Sequence, residues 1–222
     1  EKGISKREYY KRRVYALVYT IHHYTGCRTK ELLNLKWRHI TINPNDNAFD
    51  RKTNRIVHIP ADNSKTGRSR DIIAPIGQQI ERLIRWYREM GLEVDQKSDR
   101  YVFPRLTDTT KNENIPTSDV AWTKRLRNVL AGAERDGVID LNGRNISNYC
   151  ARHHHITEAI QRGVDIYDIA LNCGTSLNYI EKTYSHITTL MRSRDITKGL
   201  GRQATYDPRK DEDYLKATRM GE

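Results

Sequence analysis

The sequence predicts a mainly α-helical protein with a small antiparallel β-sheet inserted early in the chain, an α+β fold. Apolar residues recur at helical spacing through most of the 222 residues. The exception is residues 40 to 75, where two short β-branched runs flank a polar loop and predict a β-hairpin. There is neither an internal repeat nor a low-complexity block, so we expect one main domain.

The first half of the chain predicts two helices followed by the hairpin. Ser5 can cap the first helix, Glu8 stands three residues later, and Gly26 lies just past its end. The second helix is predicted in RTKELLNLKW, where leucines share one face. A turn is expected in NPNDN, and the hairpin consists of strands RIVHIP and RDIIAP around the loop ADNSKTGRS.

Helical spacing dominates the second half of the chain. It returns in IGQQIERLIRWYREMG, after which RYVFP is predicted to form a short strand that its proline ends. Further helices are predicted in TSDVAWTKRLRNVLAGAE, ISNYCARHHHITEAIQRG, VDIYDIALNCG, SLNYIEKTYSHI and TTLMRSRDITKGL. Residues 201–222 are charged and poorly periodic, which is typical of a tail or of an arm that reaches a partner.

The composition favours a polyanionic partner. Lys and Arg total 39 against 28 Asp and Glu, which gives a formal net charge of +11. The cysteines Cys27, Cys150 and Cys173 have the spacing of neither a disulfide framework nor a zinc finger, so a reducing compartment is expected. The sequence shows neither a signal peptide nor an apolar run long enough to span a membrane.

The stretch YTGCRTKELLNLKW places an arginine, Arg28, at a helix joint with Glu31 one turn later. By itself this pattern is typical of an ordinary surface ion pair. It also resembles the first arginine box of the tyrosine recombinases, the phage-integrase family. The residues that match the pattern of that box are Thr25, Gly26, Arg28, Glu31, Leu32, Leu35 and Trp37.

Four further elements of the family pattern follow in order. Lys65 lies in the predicted hairpin, where the family has a lysine, although a lysine there is otherwise typical of a solvated loop. Arg152 and His153 match the family's second arginine and the histidine after it. Tyr184 follows Thr175 by nine residues, the interval at which the family places its nucleophile, and His186 completes a frequent ending.

Two positions depart from the family pattern, because Tyr149 and Thr175 stand where histidines are usual. Neither residue can accept a proton near neutral pH as readily as imidazole, so we expect activity to survive at a lower rate. The other tyrosine of NYIEKTYSHI, Tyr179, is expected to pack in the core.

The resemblance implies a catalytic domain of the DNA breaking-rejoining type, which forms a 3′-phosphotyrosine intermediate at Tyr184. Arg28 and Arg152 would hold the phosphate through bidentate donors that remain protonated, and Lys65 would protonate the leaving oxygen. Glu31, His153 and His186 would support them. Neither a metal nor another cofactor is expected, and adjacent histidines, as in 153–155 and 22–23, point too far apart on a helix to share one ion.

The expected partner is double-stranded DNA bound by a homo-oligomer, a tetramer by resemblance to the family. Two basic clusters are predicted to contact the DNA backbone, although each is also typical of a solvated surface. The segment after Tyr184 would dock on a neighbouring subunit or pack on its own domain. The cluster residues are Arg68 and Arg70 in the hairpin, and Lys124, Arg125 and Arg127 in a helix.

We therefore expect residues 1–200 to form the catalytic domain of a site-specific integrase of a phage or mobile element, with residues 201–222 as its tail. The chain begins at Glu1 rather than methionine, so the family's N-terminal DNA-clamping domain is expected to lie outside it. The expected location is on DNA in the cytoplasm of a bacterial host. The alternatives are a type IB topoisomerase, a catalytically weakened DNA-binding relative, and a basic helical regulator unrelated to recombinases.

Overall fold

The computed structural model describes residues 3–106 and 114–191, with side chains as far as residue 185. The chain divides into two compact units, Glu1–Thr183 and Tyr184–Glu222. The first unit contains the sheet and most of the helices. Among the described residues, no helix is both long enough and apolar enough to cross a bilayer.

Eight α-helices account for most of the described chain, which confirms the predicted mainly helical class. Ser5 caps the first helix by accepting a hydrogen bond from the Glu8 backbone N–H at 3.1 Å, and Gly26 ends it in a left-handed conformation, as predicted. The helices are α1 Lys6–Thr25, α2 Thr29–Leu33, α3 Ala48–Thr53, α4 Gly77–Glu89, α5 Asp119–Arg135, α6 Cys150–Gln161, α7 Ile166–Cys173 and α8 Leu177–Met191.

The sheet is a three-stranded antiparallel sheet in the order β1-β2-β3. Its strands are β1 Ile40–Thr41, β2 Arg55–Ile59 and β3 Arg70–Ala74. Val57 pairs with Ile72 in the centre of the hairpin, and both side chains are buried. The predicted hairpin is thus confirmed, while the short β1 adds a third strand.

The main core lies between α1, the sheet and α4. Apolar side chains spaced three and four residues apart on α1 and α4 face the buried side of the hairpin. Trp122 of α5 joins this core, where its ring stacks on Tyr19 of α1 at a centroid distance of 4.5 Å. The core residues of α1, the sheet and α4 include Val14, Leu17, Val18, Ile21, Val57, Ile59, Ile72, Ala74, Ile80 and Leu83.

Two predicted elements differ in the structure, and one helix was not predicted. RYVFP is not a strand: Tyr101 and Pro104 make single bridges only, because proline has no N–H to continue a ladder. The helix predicted in RTKELLNLKW ends at Leu33. The helix α3 was not predicted, although Asn47 caps it by accepting from the Phe49 and Asp50 backbone N–H groups.

The two predicted helices after Ser176 are continuous in the structure, since α8 runs through to Met191. The rest of the second one, the predicted tail 201–222 and the predicted domain boundary at residue 200 lie outside the described residues.

Candidate active site

The buried carboxylate of Glu31 holds two arginines that are far apart in the sequence. Glu31 is 1% exposed, and its two oxygens accept from Arg28 Nη1 at 2.8 Å and from the Arg28 backbone N–H at 2.9 Å. Arg70, at the start of β3, donates from Nη1 at 3.2 Å and from Nη2 at 2.6 Å. Burial would raise the pKa of Glu31, but Arg70 and Arg28 together lower it below its usual value.

The two predicted phosphate-binding arginines meet at one short loop. Arg28 Nη2 donates to the Gly174 carbonyl at 2.7 Å, and Arg152 Nη1 donates to the Cys173 carbonyl at 2.7 Å. Arg152 Nη1 also donates to the carbonyl of Gly26 at 2.7 Å. Because their anchors are consecutive carbonyls, the two guanidinium groups are held side by side.

Arg152 retains two donors that face no acceptor. Its side chain is 1% exposed, and within the described part of the chain Nε and Nη2 have no hydrogen-bond partner. A buried, permanently charged donor without a partner is costly, and native proteins rarely leave one unexplained. These two nitrogens of the guanidinium are suited to bidentate binding of an oxyanion.

Gly26 permits the close approach of α6 to the end of α1. It has φ +57°, and a Cβ added there would lie 2.3 Å from the ring of His155. This glycine therefore brings the carbonyl that Arg152 binds to within hydrogen-bonding distance, and it places Arg28 two residues later at the start of α2.

Gly174 has the same function at the end of α7. It has φ +65°, and a Cβ there would lie 2.5 Å from the Arg70 guanidinium carbon. Arg70 Nε also donates to the Asn172 carbonyl at 3.3 Å, so the guanidinium lies directly against this loop. Thr175 follows Gly174 and is partly exposed at the surface of the same loop.

Lys65 is exposed in the loop between β2 and β3. The base of this loop contacts the arginine cluster, which consists of Arg28, Arg70 and Arg152 around Glu31 and the Gly174 loop. The contact is a hydrogen bond in which Asn63 Nδ2 donates to the Glu31 carbonyl at 2.9 Å. Gly67, with φ +67°, turns the chain back toward β3. Lys65 therefore belongs to a loop whose two ends, Asn63 and Arg70, both contact Glu31.

Tyr149 directly precedes α6 and is 36% exposed. Its ring packs edge-on against His153, with centroids 4.9 Å apart. Tyr179 of α8 is 37% exposed, so the prediction that it packs in the core is wrong. Burial of its hydroxyl and the neighbouring Tyr149 phenol raise the pKa of Tyr179. Burial and the charge of Arg152 lower the pKa of His153.

Tyr184 lies on α8, two turns after Leu177, and is the first residue of the second compact unit. His186 lies on the same helix. Their roles as nucleophile and supporting residue stay predictions.

The predicted DNA-contacting residues have different environments. Arg68, Lys124 and Arg127 are exposed, whereas Arg125 packs over the ring of Tyr15 at 3.6 Å. The guanidinium donors of Arg70 are directed to Glu31 and Asn172, and its predicted contact with the DNA backbone stays a prediction.

A family model described as the phage integrase family matches residues 5–190. That span includes the arginine cluster, the hairpin with Lys65, and Tyr184. The chain belongs to the phage integrase family. The resemblance read from the sequence is thus confirmed, and so is the fold class.

Solved recombinase structures have the same fold as this integrase-family chain. XerH recombinase bound to palindromic difH substrate in a post-cleavage complex is 20% identical, with a TM-score of 0.56, over 88% of this chain and 46% of its own. XerA recombinase is 17% identical, with a TM-score of 0.53, over 91% of this chain and 66% of its own. The Tn1549 transposon integrase in complex with transposon right-end DNA is 14% identical, with a TM-score of 0.55, over 86% of this chain and 60% of its own.

The chain thus spans about half the length of the XerH chain. No curated protein matches it.

The sequence indicated Arg28, Glu31 and Arg152 as site residues, but it did not indicate that Arg70 shares Glu31. The sequence held only a weak signal for the position of Arg70. Side chains alternate along a strand, so Arg70 at the start of β3 faces the same side of the sheet as the buried Ile72. Only the fold brings Arg70 to a carboxylate 39 residues earlier.

Proposed function

We propose that this chain is the catalytic part of a tyrosine recombinase, which performs site-specific integration by cleaving and rejoining DNA through a 3′-phosphotyrosine. The observation that carries the proposal is the pair of buried Arg152 donors, beside Arg28, that have no partner among the residues that the structure describes. Such an arrangement is suited to the non-bridging oxygens of a phosphodiester, whose charge grows toward the transition state. Family membership supports recombination over the topoisomerase alternative.

In the proposed reaction, the Tyr184 phenol gives its proton to water at the site, its oxygen attacks phosphorus, and the bond to the 5′ oxygen of the next nucleotide breaks. Lys65 gives a proton to that leaving oxygen, so that a free 5′ hydroxyl and a phosphotyrosine ester are formed. Rejoining is the reverse reaction with a 5′ hydroxyl from another duplex. Glu31 accepts from Arg28 Nη1 and the Gly174 carbonyl accepts from Arg28 Nη2, and these two contacts hold the Arg28 guanidinium beside Arg152.

The partners are part of the same proposal. XerH and the Tn1549 integrase were each solved with DNA, and by analogy we expect this chain to bind double-stranded DNA. By resemblance to the family, we also expect it to act as a homo-tetramer in the cytoplasm of a bacterial host. The net charge of +11 supports binding to DNA.

A covalent-capture experiment tests the proposal. The protein is incubated with a pool of randomised duplexes, each nicked so that cleavage releases a short fragment and prevents religation. We expect a denaturant-resistant protein–DNA adduct that Tyr184→Phe abolishes. Tyr179→Phe, one and a half turns earlier on the same helix, is the matched control and should retain it.

Absence of an adduct from the wild-type protein, or an adduct that persists in Tyr184→Phe, would contradict the proposal. Exchange of strands between two captured duplexes would support a recombinase. Relaxation of supercoiled DNA without exchange would instead support the topoisomerase alternative.

A further inference from the structure

Three side chains of types that bind metal ions lie close together between helices α1 and α6, and none of them takes part in the hydrogen bonds of the arginine cluster. His23 Nε2, near the end of α1, lies 3.0 Å from Glu158 Oε2 of α6. His154 Nδ1, one turn before Glu158 on α6, lies 3.6 Å from Glu158 Oε1. The ligand atoms of the three residues all lie within 4.8 Å of one another.

We propose that His23, His154 and Glu158 form a binding site for a divalent transition-metal ion, with Zn²⁺ as the best match. Two imidazoles and one carboxylate are a ligand set that zinc uses in sites where water occupies the fourth position. Zinc bonds of about 2.0–2.1 Å in a tetrahedron place neighbouring ligand atoms about 3.4 Å apart. The separations of 3.0 and 3.6 Å run to the two different oxygens of Glu158, and with one ligand atom from each residue the three atoms lie within 4.8 Å of one another. Small rotations of these exposed or half-buried side chains would bring the atoms to the tetrahedral spacing.

The surroundings permit an ion to enter. The side chain of His154 is 62% exposed and that of Glu158 is 36% exposed, whereas His23 is 25% exposed and anchors the inner side of the site. The competing cation is Arg162, whose Nη1 lies 3.8 Å from Glu158 Oε2. Its side chain is 62% exposed, so it can turn into solvent when the ion binds.

The location suggests what the ion would do. His23 lies three residues before Gly26, and α6 also carries Arg152, whose Nη1 binds the Gly26 carbonyl at 2.7 Å. A metal bridge would therefore brace α1 against α6 next to the contact that positions Arg152. The histidine run 153–155 and the pair 22–23 do not each form a site, because the group takes one histidine from each helix, His23 from α1 and His154 from α6.

Zinc titration of protein freed of metal by chelation tests the site. Calorimetry should show one Zn²⁺ bound per chain, and Co²⁺ in its place should give the visible absorption of a tetrahedral nitrogen–oxygen site. His154→Ala and Glu158→Gln should each weaken zinc binding more than about 100-fold, since even loss of an outer-shell partner costs 10–100-fold. Both residues are exposed enough that we expect these variants to fold.

The matched control is His58→Ala. His58 also pairs with a carboxylate, since Nδ1 lies 2.7 Å from Asp71 Oδ1, but on the hairpin. This variant should bind zinc like the wild type. Zinc should also raise the thermal midpoint of the wild type and of His58→Ala, but not of His154→Ala, because an ion that binds only the folded state stabilises it.

The proposal is overturned if the wild type binds no zinc, if His154→Ala and Glu158→Gln bind it as tightly as the wild type, or if His58→Ala loses as much affinity as they do. These measurements do not use DNA, so their outcome is independent of the covalent-capture experiment.

Discussion

At the scale of single residues, the charge of Glu31 matters most to the arginine cluster. Its carboxylate is buried and accepts from Arg28 and Arg70, which together lower its pKa. Removing one partner of a buried pair leaves the remaining charges uncompensated, which typically costs roughly 3–5 kcal/mol. The cluster should therefore contribute stability that depends on pH.

The sign follows from the direction of the Glu31 pKa shift. A carboxyl group with a lowered pKa in the folded state contributes stability above its unfolded value, and this stability is lost as the pH falls through the folded pKa. We expect Glu31→Gln to be less stable than the wild type at neutral pH. The difference in free energy of unfolding should shrink as the pH falls below 4.5.

Urea unfolding of both proteins across this pH range measures the difference. A difference that stays constant into acid would show that the Glu31 charge contributes nothing to the cluster.

Tyr149 and Thr175, which stand where the family usually has histidines, are expected to lower the rate of DNA cleavage. Tyr149 is partly exposed at the start of α6 and Thr175 follows the Gly174 loop, so both can be replaced with little change in packing. Because imidazole exchanges protons near neutral pH, Tyr149→His and Thr175→His together should raise single-turnover cleavage about tenfold or more. An unchanged or slower rate would mean that the tyrosine and threonine already serve this reaction well.

At the scale of elements, two left-handed glycines connect the helices to the arginine cluster. Gly174→Ala should destabilise the protein by roughly 1–2 kcal/mol from its backbone conformation alone. It should also displace the Arg70 guanidinium, whose carbon would lie 2.5 Å from the new Cβ. Cleavage should therefore fall as well as stability.

Gly163→Ala is the matched control. Gly163 has φ +78°, but among the described residues no atom beyond its two chain neighbours lies within 4 Å of the position of its Cβ. Thermal unfolding should show the backbone cost in both variants and a further loss of stability in Gly174→Ala, where the new Cβ meets Arg70. Single-turnover cleavage should fall more in Gly174→Ala than in Gly163→Ala. Equal cleavage by the two variants would mean that the contact between Arg70 and Gly174 has no effect on the site.

Local sequence signals predicted individual elements of the fold, whereas contacts between elements became known only from the structure. Helix α1 and the hairpin were predicted because their caps and alternation are local signals, and the ordered Arg28, Lys65, Arg152 and Tyr184 indicated the family. The contact of Arg70 with Glu31 was not predictable, because it depends on the packing of β3 against α2 and α7. The group formed by His23 and Glu158 depends in the same way on how α1 meets α6.

At the scale of the whole molecule, the excess of 39 basic over 28 acidic residues predicts DNA binding that weakens steeply with salt. Arg127 is exposed on α5, and Arg127→Ala should reduce the slope of log K against log salt by about 1. Arg135, on the same helix, pairs with Asp136 at 3.1 Å, so Arg135→Ala should leave the slope nearly unchanged. Fluorescence anisotropy with a labelled duplex measures both slopes.

An unchanged slope in Arg127→Ala would place α5 away from the DNA backbone. The stacked Arg125 is less suited to this test, since its replacement would also remove packing against Tyr15.

The central claim is that Tyr184 becomes covalently linked to DNA, and mass spectrometry of the captured adduct tests it most directly. After nuclease and trypsin digestion, the nucleotide remnant should lie on the peptide TYSHITTLMR, residues 183–192, in which Tyr184 is the sole tyrosine. A remnant on residues 163–182, which contain Tyr167 and Tyr179, or on residues 145–152, which contain Tyr149, would contradict the claim.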